Sequence, residues 1–243
     1  MRTPIALGAR VARVPAPVPR RSFATSARRL AAPAPAPANG DGAALNPRWL
    51  SELQARIKRC AGLGLQGQQK EELKALQEAV DGRWLELLAG REGFLTGPGW
   101  RGLDRHTVTW GDQLTVAGHV NNVVYNKYAE SARFNWLRNF ATAIDPANKD
   151  AWDAFMTPRD PTYESDYILL EALLVSHGHR RPAARCFEDI VVYDYKTAKR
   201  APLKPFMVDR LRETYEAQDR SKAECEKKVQ ELVEAVERLE RAA

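Results

Sequence analysis

Cysteine is scarce, with three in 243 residues. Cys60, Cys186 and Cys225 are widely spaced and form no C-x-x-C pair, which argues against a disulfide framework and a structural zinc site and leaves reduced thiols as the expectation. Histidine is nearly as rare. His177 and His179 are flanked by Arg180 and Arg181 with no matching Cys or acid cluster, so they read as a solvated loop and not as metal ligands. No apolar run is long enough for a transmembrane helix. No metal, no cofactor and no membrane span are therefore expected.

Acidic residues are missing locally. Met1 to Phe23 holds five Arg and no Asp or Glu. Taking those five from the 37 basic residues leaves 32 against 31 acids, so the formal charge of +6 falls to about +1 and gives no argument for nucleic-acid binding. The first 30 residues are rich in Arg, Ala, Ser and Pro, the composition of a mitochondrial presequence. Arg21-Ser-Phe23 before Ala24-Thr-Ser26 matches a matrix-peptidase pattern, with cleavage expected after Phe23. The competing reading is an Arg-rich tail with no import role.

What is present divides the chain into a presequence (1–23), a Pro/Ala linker (24–46), a helical hairpin (47–90), a mixed α+β domain (100–205) and a charged C-terminal helix (206–243). Alternating Pro and Ala in the linker favour an extended chain. Asn46 as N-cap and Pro47 at the first helical position predict a helix carrying Leu50, Leu53, Ile57 and Cys60 on one face. A second helix, about Gln68 to Leu88, aligns Leu73, Leu76, Val80, Trp84 and Leu87. His106 to Trp110 alternates as a strand. A central helix from about Asn121 has a broad apolar face of Val124, Tyr128, Ala132, Trp136 and Phe140 and stops before Asp145-Pro146. Tyr167 to Ser176 is an apolar run that suits helix or strand equally, and Arg185 to Tyr195 is a strand with Val191 and Val192 at its centre. Beyond Pro205, Cys225, Val229, Leu232, Val236 and Leu239 recur at three and four, which fits a short coiled coil or a solvated amphipathic helix.

The run Trp110-Gly-Asp-Gln-Leu-Thr-Val-Ala-Gly-His-Val-Asn-Asn-Val-Val-Tyr-Asn-Lys-Tyr-Ala-Glu-Ser-Ala-Arg133 carries the chemistry. It sets a strand end, a polar loop and a helix N-terminus in succession, where free backbone N–H groups can receive a carbonyl oxygen or oxyanion. This run resembles the entry motif of hot-dog-fold thioesterases of the hydroxybenzoyl-CoA thioesterase type, most nearly the fungal mitochondrial thioesterase-like proteins. Ala89 to Leu95, Arg101 to His106 and Val192 to Tyr195 extend the likeness over roughly residues 47–215. The resemblance implies an antiparallel sheet wrapped on a long central helix, an acyl-CoA substrate, and a homodimer or higher oligomer that builds its site from two subunits. It tips the apolar run toward strand, at least for Leu173 to His177, and implies that Lys196 to Pro205 is the closing hairpin that leads into the C-terminal helix.

The residues that fall on the motif are Trp110, Gly111, Asp112, Gly118, His119, Val120, Asn121, Asn122, Tyr125 and Glu130. Thioester hydrolysis needs a carboxylate, as nucleophile or general base, and donors for the oxyanion. Asp112 and the helix-borne Glu130 are the candidate carboxylates, although Glu130 beside Lys127 and Arg133 also reads as a surface ion-pair partner. His119 can orient substrate, act as a base or cap the helix. Gly118, Asn121, Asn122 and Tyr125 are the substrate-binding candidates, and the two Asn are also natural N-caps.

Two departures from the family pattern stand out. The loop is one residue longer than usual, and Leu114 or Thr115 occupies the place of a second, typically catalytic Asp. Between Met156 and Tyr195 there are two candidate strands where the family has about four, so about two strands are missing. The sequence thus leaves two functions open, an acyl-CoA thioesterase and a non-catalytic binding or assembly module on the same fold. A hot-dog hydratase would need an Asp-x-Asn-Pro-x-x-His setting that the chain does not have.

Overall fold

The computed structural model describes residues 4–13, 48–107, 119–156, 167–194 and 197–242, and the chain is a mixed α+β protein. The elements run β1 (Pro4–Arg13), α1 (Trp49–Cys60), α2 (Gly67–Leu85), β2 (Arg101–Thr107), α3 (Asn122–Asn139), α4 (Lys149–Met156), β3 (Tyr167–Ser176), β4 (Arg181–Val191), β5 (Tyr193–Asp194), β6 (Lys199–Arg200) and α5 (Pro205–Arg241). Single π-helical turns continue α2 through Glu86–Gly90 and α3 through Phe140–Ile144.

The main sheet has the order β2-β1-β3-β4 with every neighbour antiparallel, and β5 pairs with β6 in a separate two-stranded hairpin. The sheet is covered on both faces. Along β3, Ile168 and Leu170 pack with Trp136 and Phe140 of the α3 layer, and Leu174 packs with Tyr128 and Ala132. The alternate residues Leu173 and Val175 join the opposite core, with Leu50, Leu53 and Ile57 of α1, Leu73, Leu76 and Val80 of α2, and Val229, Val236 and Leu239 of α5. A strand buried on both sides has no polar face to alternate with, which is why this run shows no period of two. Each large apolar side chain buried in this way contributes about 1.5–3 kcal/mol.

Several expectations are corrected. Helix α1 begins at Trp49 with Arg48 at the N-cap position and no side-chain cap bond, two residues later than Asn46-Pro47 suggests; those two residues lie outside the described ones. The first strand of the α+β region starts at Arg101, before His106. Helix α5 is not a solitary solvated helix, because its apolar stripe closes on the hairpin within the same chain. Arg56 to Glu240 at 2.7 Å, Arg238 to Glu72 at 3.2 Å and Lys228 to Glu86 at 3.3 Å flank that seam.

The largest surprise is β1. It lies inside the segment read as a presequence, yet it occupies an interior position of the sheet, pairing Ile5 with His106 on one side and Ala9 with Ala172 on the other. Between Met156 and Tyr193 the described chain supplies β3 and β4, and β1 fills the gap between β2 and β3.

All three cysteines are free; Cys60 and Cys225 are buried and Cys186 is half-buried. Burial pushes each thiol above its ordinary range, with Glu240 adding to the effect at Cys60, Glu188 at Cys186 and Glu86 at Cys225. In the native protein at pH 7, a chromogenic disulfide reagent will label Cys186 slowly. Cys60 and Cys225 will react only on addition of denaturant, so three rapid equivalents without denaturant would contradict this packing.

Candidate functional site

The site is set by the passage from β2 into α3. Trp110, Gly111, Asp112 and Gly118 lie outside the described residues, which resume at His119. Strand β2 is held against α3 by a glycine. A Cβ on Gly102 would fall 2.0 Å from the Ala132 carbonyl oxygen and 2.7 Å from its Cα, so only glycine admits this approach. The amide of Asn139 donates to the Arg101 carbonyl at 3.1 Å and fixes the other end of the crossing. Against β1 the strand is irregular. Ile5 to Leu7 spans two residues while the partners His106 to Leu103 span three, and Arg105 takes up the excess with φ +52°.

Asn121 is the N-cap of α3, with extended backbone at φ −62°, ψ 133°, and its Oδ1 accepts from the Val123 N–H at 3.2 Å. The Val124 N–H donates to the Asn121 carbonyl at 2.9 Å. Two first-turn amides are thus satisfied within the helix, and the Asn122 N–H has no acceptor among the described residues. Asn122 and His119 are exposed.

Under this turn is an aromatic cluster. Tyr128 is buried, with the His106 ring 4.9 Å away and the half-buried Tyr125 ring 6.5 Å away, both edge-on. Leu103, Val120, Val124, Ala184 and Cys186 complete the wall around Tyr128, Ala132 and Leu174. The His106 Nε2 is buried and has no hydrogen-bond partner among the described residues. Sequence reasoning used His106 only to mark a strand, although the strand pattern placing it opposite an aromatic helix face was a usable signal.

Glu130 is not brought to this cluster. It is exposed and makes no ion pair among the described residues, because Arg133 is taken by Glu188 of β4 at 2.7 Å. Eight residues beyond Asn122, it stands about 12 Å along the axis from the first turn. The structure therefore groups Asn121, Asn122 and Tyr125 at one helix end with His119 just before them, and sets Glu130 apart. His177 and His179 sit in a tight turn after β3. The His177 ring packs edge-on to Trp84 at 5.0 Å, and burial lowers its pKa, with Arg105 adding to the effect. No group of three metal-ligating side chains occurs among the described residues, and no helix there is long and apolar enough to cross a membrane.

Comparison with protein-family models, with curated proteins and with solved structures returns no match to this chain.

Proposed function

We propose that this chain is a hot-dog-type, mitochondrial acyl-CoA thioesterase-like protein that hydrolyses its thioester at the N-terminal turn of α3. The observation that carries the reading is the capped first turn of α3, which follows the Asp112 segment in sequence and lies above the cluster of Tyr125, Tyr128 and His106. An antiparallel sheet packed against α3 supports the reading.

In this mechanism Asp112 takes a proton from a water that adds to the thioester carbonyl, or adds to that carbonyl itself. The developing oxyanion is held by the Asn122 N–H and the amides just before it, and its collapse breaks the C–S bond. In the first route the coenzyme thiolate leaves with the proton that Asp112 took; in the second it leaves as thiolate from a mixed anhydride of Asp112, which water then hydrolyses to the free acid. Tyr125 and the apolar wall exclude water from the acyl group. Association through the edge strand β4 fits a homodimer, since Phe187, Val191 and Tyr193 on β4 and β5 and Phe134 on α3 are exposed. Import is directed by the acid-free N-terminal segment.

A second reading is favoured by one feature. The Asn121 side chain and carbonyl occupy two of the first-turn amides that substrate would use, which suits a scaffold that binds without hydrolysing. The test is turnover of a panel of acyl-CoAs of graded chain length by the full-length chain. Wild type is expected to hydrolyse at least one. Asp112→Asn should lower kcat/KM by about a hundredfold or more, and Glu130→Gln should stay within about threefold. Turnover that survives Asp112→Asn removes the assignment, and no turnover with any chain length leaves the scaffold.

A further inference from the structure

β1 is bound as a ligand would be. The Arg10 side chain has a specific set of partners, and the body of the protein provides a socket for it. The Arg10 Nε donates to Glu171 Oε2 at 2.7 Å, its Nη2 forms a second bond to the same oxygen, and its Nη1 donates to the Glu92 carbonyl at 2.6 Å. The guanidinium carbon lies 5.2 Å from the centre of the Phe94 ring. Gly93, at φ +86°, supplies the space: a Cβ there would fall 2.8 Å from Arg10 Nη1, and the left-handed backbone admits little but glycine.

The carboxylate at the bottom of the socket is 1% exposed. A second guanidinium, Arg185, meets its other oxygen at 2.5 Å and is itself braced by Glu92 at 3.1 Å. Two cations balance Glu171 while β1 is in place; when it is gone Arg185 alone remains, on Oε1, and Oε2 loses both of its Arg10 bonds.

Backbone geometry matches this side-chain selectivity. β2 and β3 both run antiparallel to β1 and so parallel to each other, and each presents a hydrogen-bonding edge across the same gap. The strand is joined to α1 only through residues 14–47, which at about 3.3 Å each reach roughly 110 Å when extended. The cleavage pattern at Phe23 falls within this tether.

We propose that the gap between β2 and β3 is a peptide-binding site of the strand-addition kind, specific for an extended segment with arginine opposite Glu171, and that this chain's own Pro4–Arg13 is the occupant. The segment is thus an exchangeable ligand as well as an address. Cutting the tether converts an intramolecular contact into a bimolecular one that persists only as long as its own affinity allows.

The test uses the full-length folded chain with a site-specific protease sequence placed in residues 24–46. After nicking, the N-terminal fragment should co-elute with the body on gel filtration, and an excess of a fluorescent peptide covering residues 2–16 should displace it. Once it is stripped, amide exchange should accelerate in β2 and β3. The same peptide with Arg10→Glu should bind more than about tenfold more weakly, because it sets a carboxylate against Glu171. Using a peptide variant avoids any question of whether a Glu171 substitution folds. The proposal is overturned if the fragment separates while β2 and β3 keep full protection, or if the Arg10→Glu peptide displaces it equally well. Neither outcome depends on thioester hydrolysis.

Discussion

Gly102→Ala will lower the stability of the chain by about 3 kcal/mol or more, a large share of the 5–15 kcal/mol typical of a domain. The added methyl would sit 2.0 Å from the Ala132 oxygen and 2.5 Å from its carbonyl carbon, both in the backbone of α3, so no side-chain rotation relieves the overlap. Ala132 is itself wholly buried, and β2 can yield only by moving away from the helix. That movement would shift the end of β2, from which the chain runs on to Asp112, so surviving activity should fall with stability. Gly82→Ala is the control. It lies within α2, where a Cβ meets nothing within 4 Å, and the same methyl should stabilise by up to about 1 kcal/mol. Urea unfolding of the three proteins decides the matter, and equal midpoints for wild type and Gly102→Ala would mean that β2 does not cross α3 as described.

Asp145→Ala should be comparably damaging, at about 3 kcal/mol near pH 7. The carboxylate is 3% exposed and accepts from the Trp152 Nε1–H at 2.9 Å, from Asn148 Nδ2 at 3.1 and 3.0 Å to its two oxygens, and from Arg210 Nη2 at 3.4 Å. It thereby joins the end of α3 to α4 and α5, and its loss strands an indole N–H in the core. Burial alone would raise its pKa. The bonds from Trp152 and Asn148 and the charge of Arg210 outweigh burial, and the net direction is down from 3.8. A depressed carboxylate contributes stability that is complete above its unfolded pKa, near 3.9, and is lost as pH falls through the lower folded value. The stability difference between wild type and Asp145→Ala should therefore be constant from about pH 5 to 7 and shrink below about pH 4. A gap that widened in acid would contradict the assignment.

The parts of the fold that were legible in the sequence are those whose signal is local. Asn121 announces the start of α3 because an Asn side chain can satisfy the second helical amide, and Asp145-Pro146 marks its end for want of a donor at Pro146. Leu50, Leu53 and Ile57 trace the buried face of α1 by spacing alone. The run Tyr167–Ser176 was ambiguous for a physical reason, since burial on both faces erases the alternation that distinguishes a strand.

β1 was read as an address because its arginines and its lack of acid dominate the composition. The alternation of Ile5, Leu7, Ala9 and Val11 was a strand signal, but the partner that gives Arg10 its role is 161 residues away in sequence. The candidate site divides in the same manner. Asn121, Asn122 and Tyr125 follow from the motif, whereas the pairing of His106 with Tyr128 depends on the crossing of β2 over α3. The separation of Glu130 follows from helix geometry, and the diversion of Arg133 to Glu188 could not be foreseen from neighbouring charges on one helix.

At 37 residues, α5 is roughly 55 Å long, and its two ends belong to different cores. Met207 and Leu211 are packed with Trp136 and Phe140, while Val229, Val236 and Leu239 are packed with Leu50 and Leu76. A rod shared between two hydrophobic clusters denies either of them an independent melting transition, because dissolving one frees half of a helix that the other must then hold unsupported. The helical hairpin and the α3 layer, which look in sequence like an appendage and a domain, are by this means a single cooperative unit, and damage to the hairpin is transmitted to the floor of the α3 site.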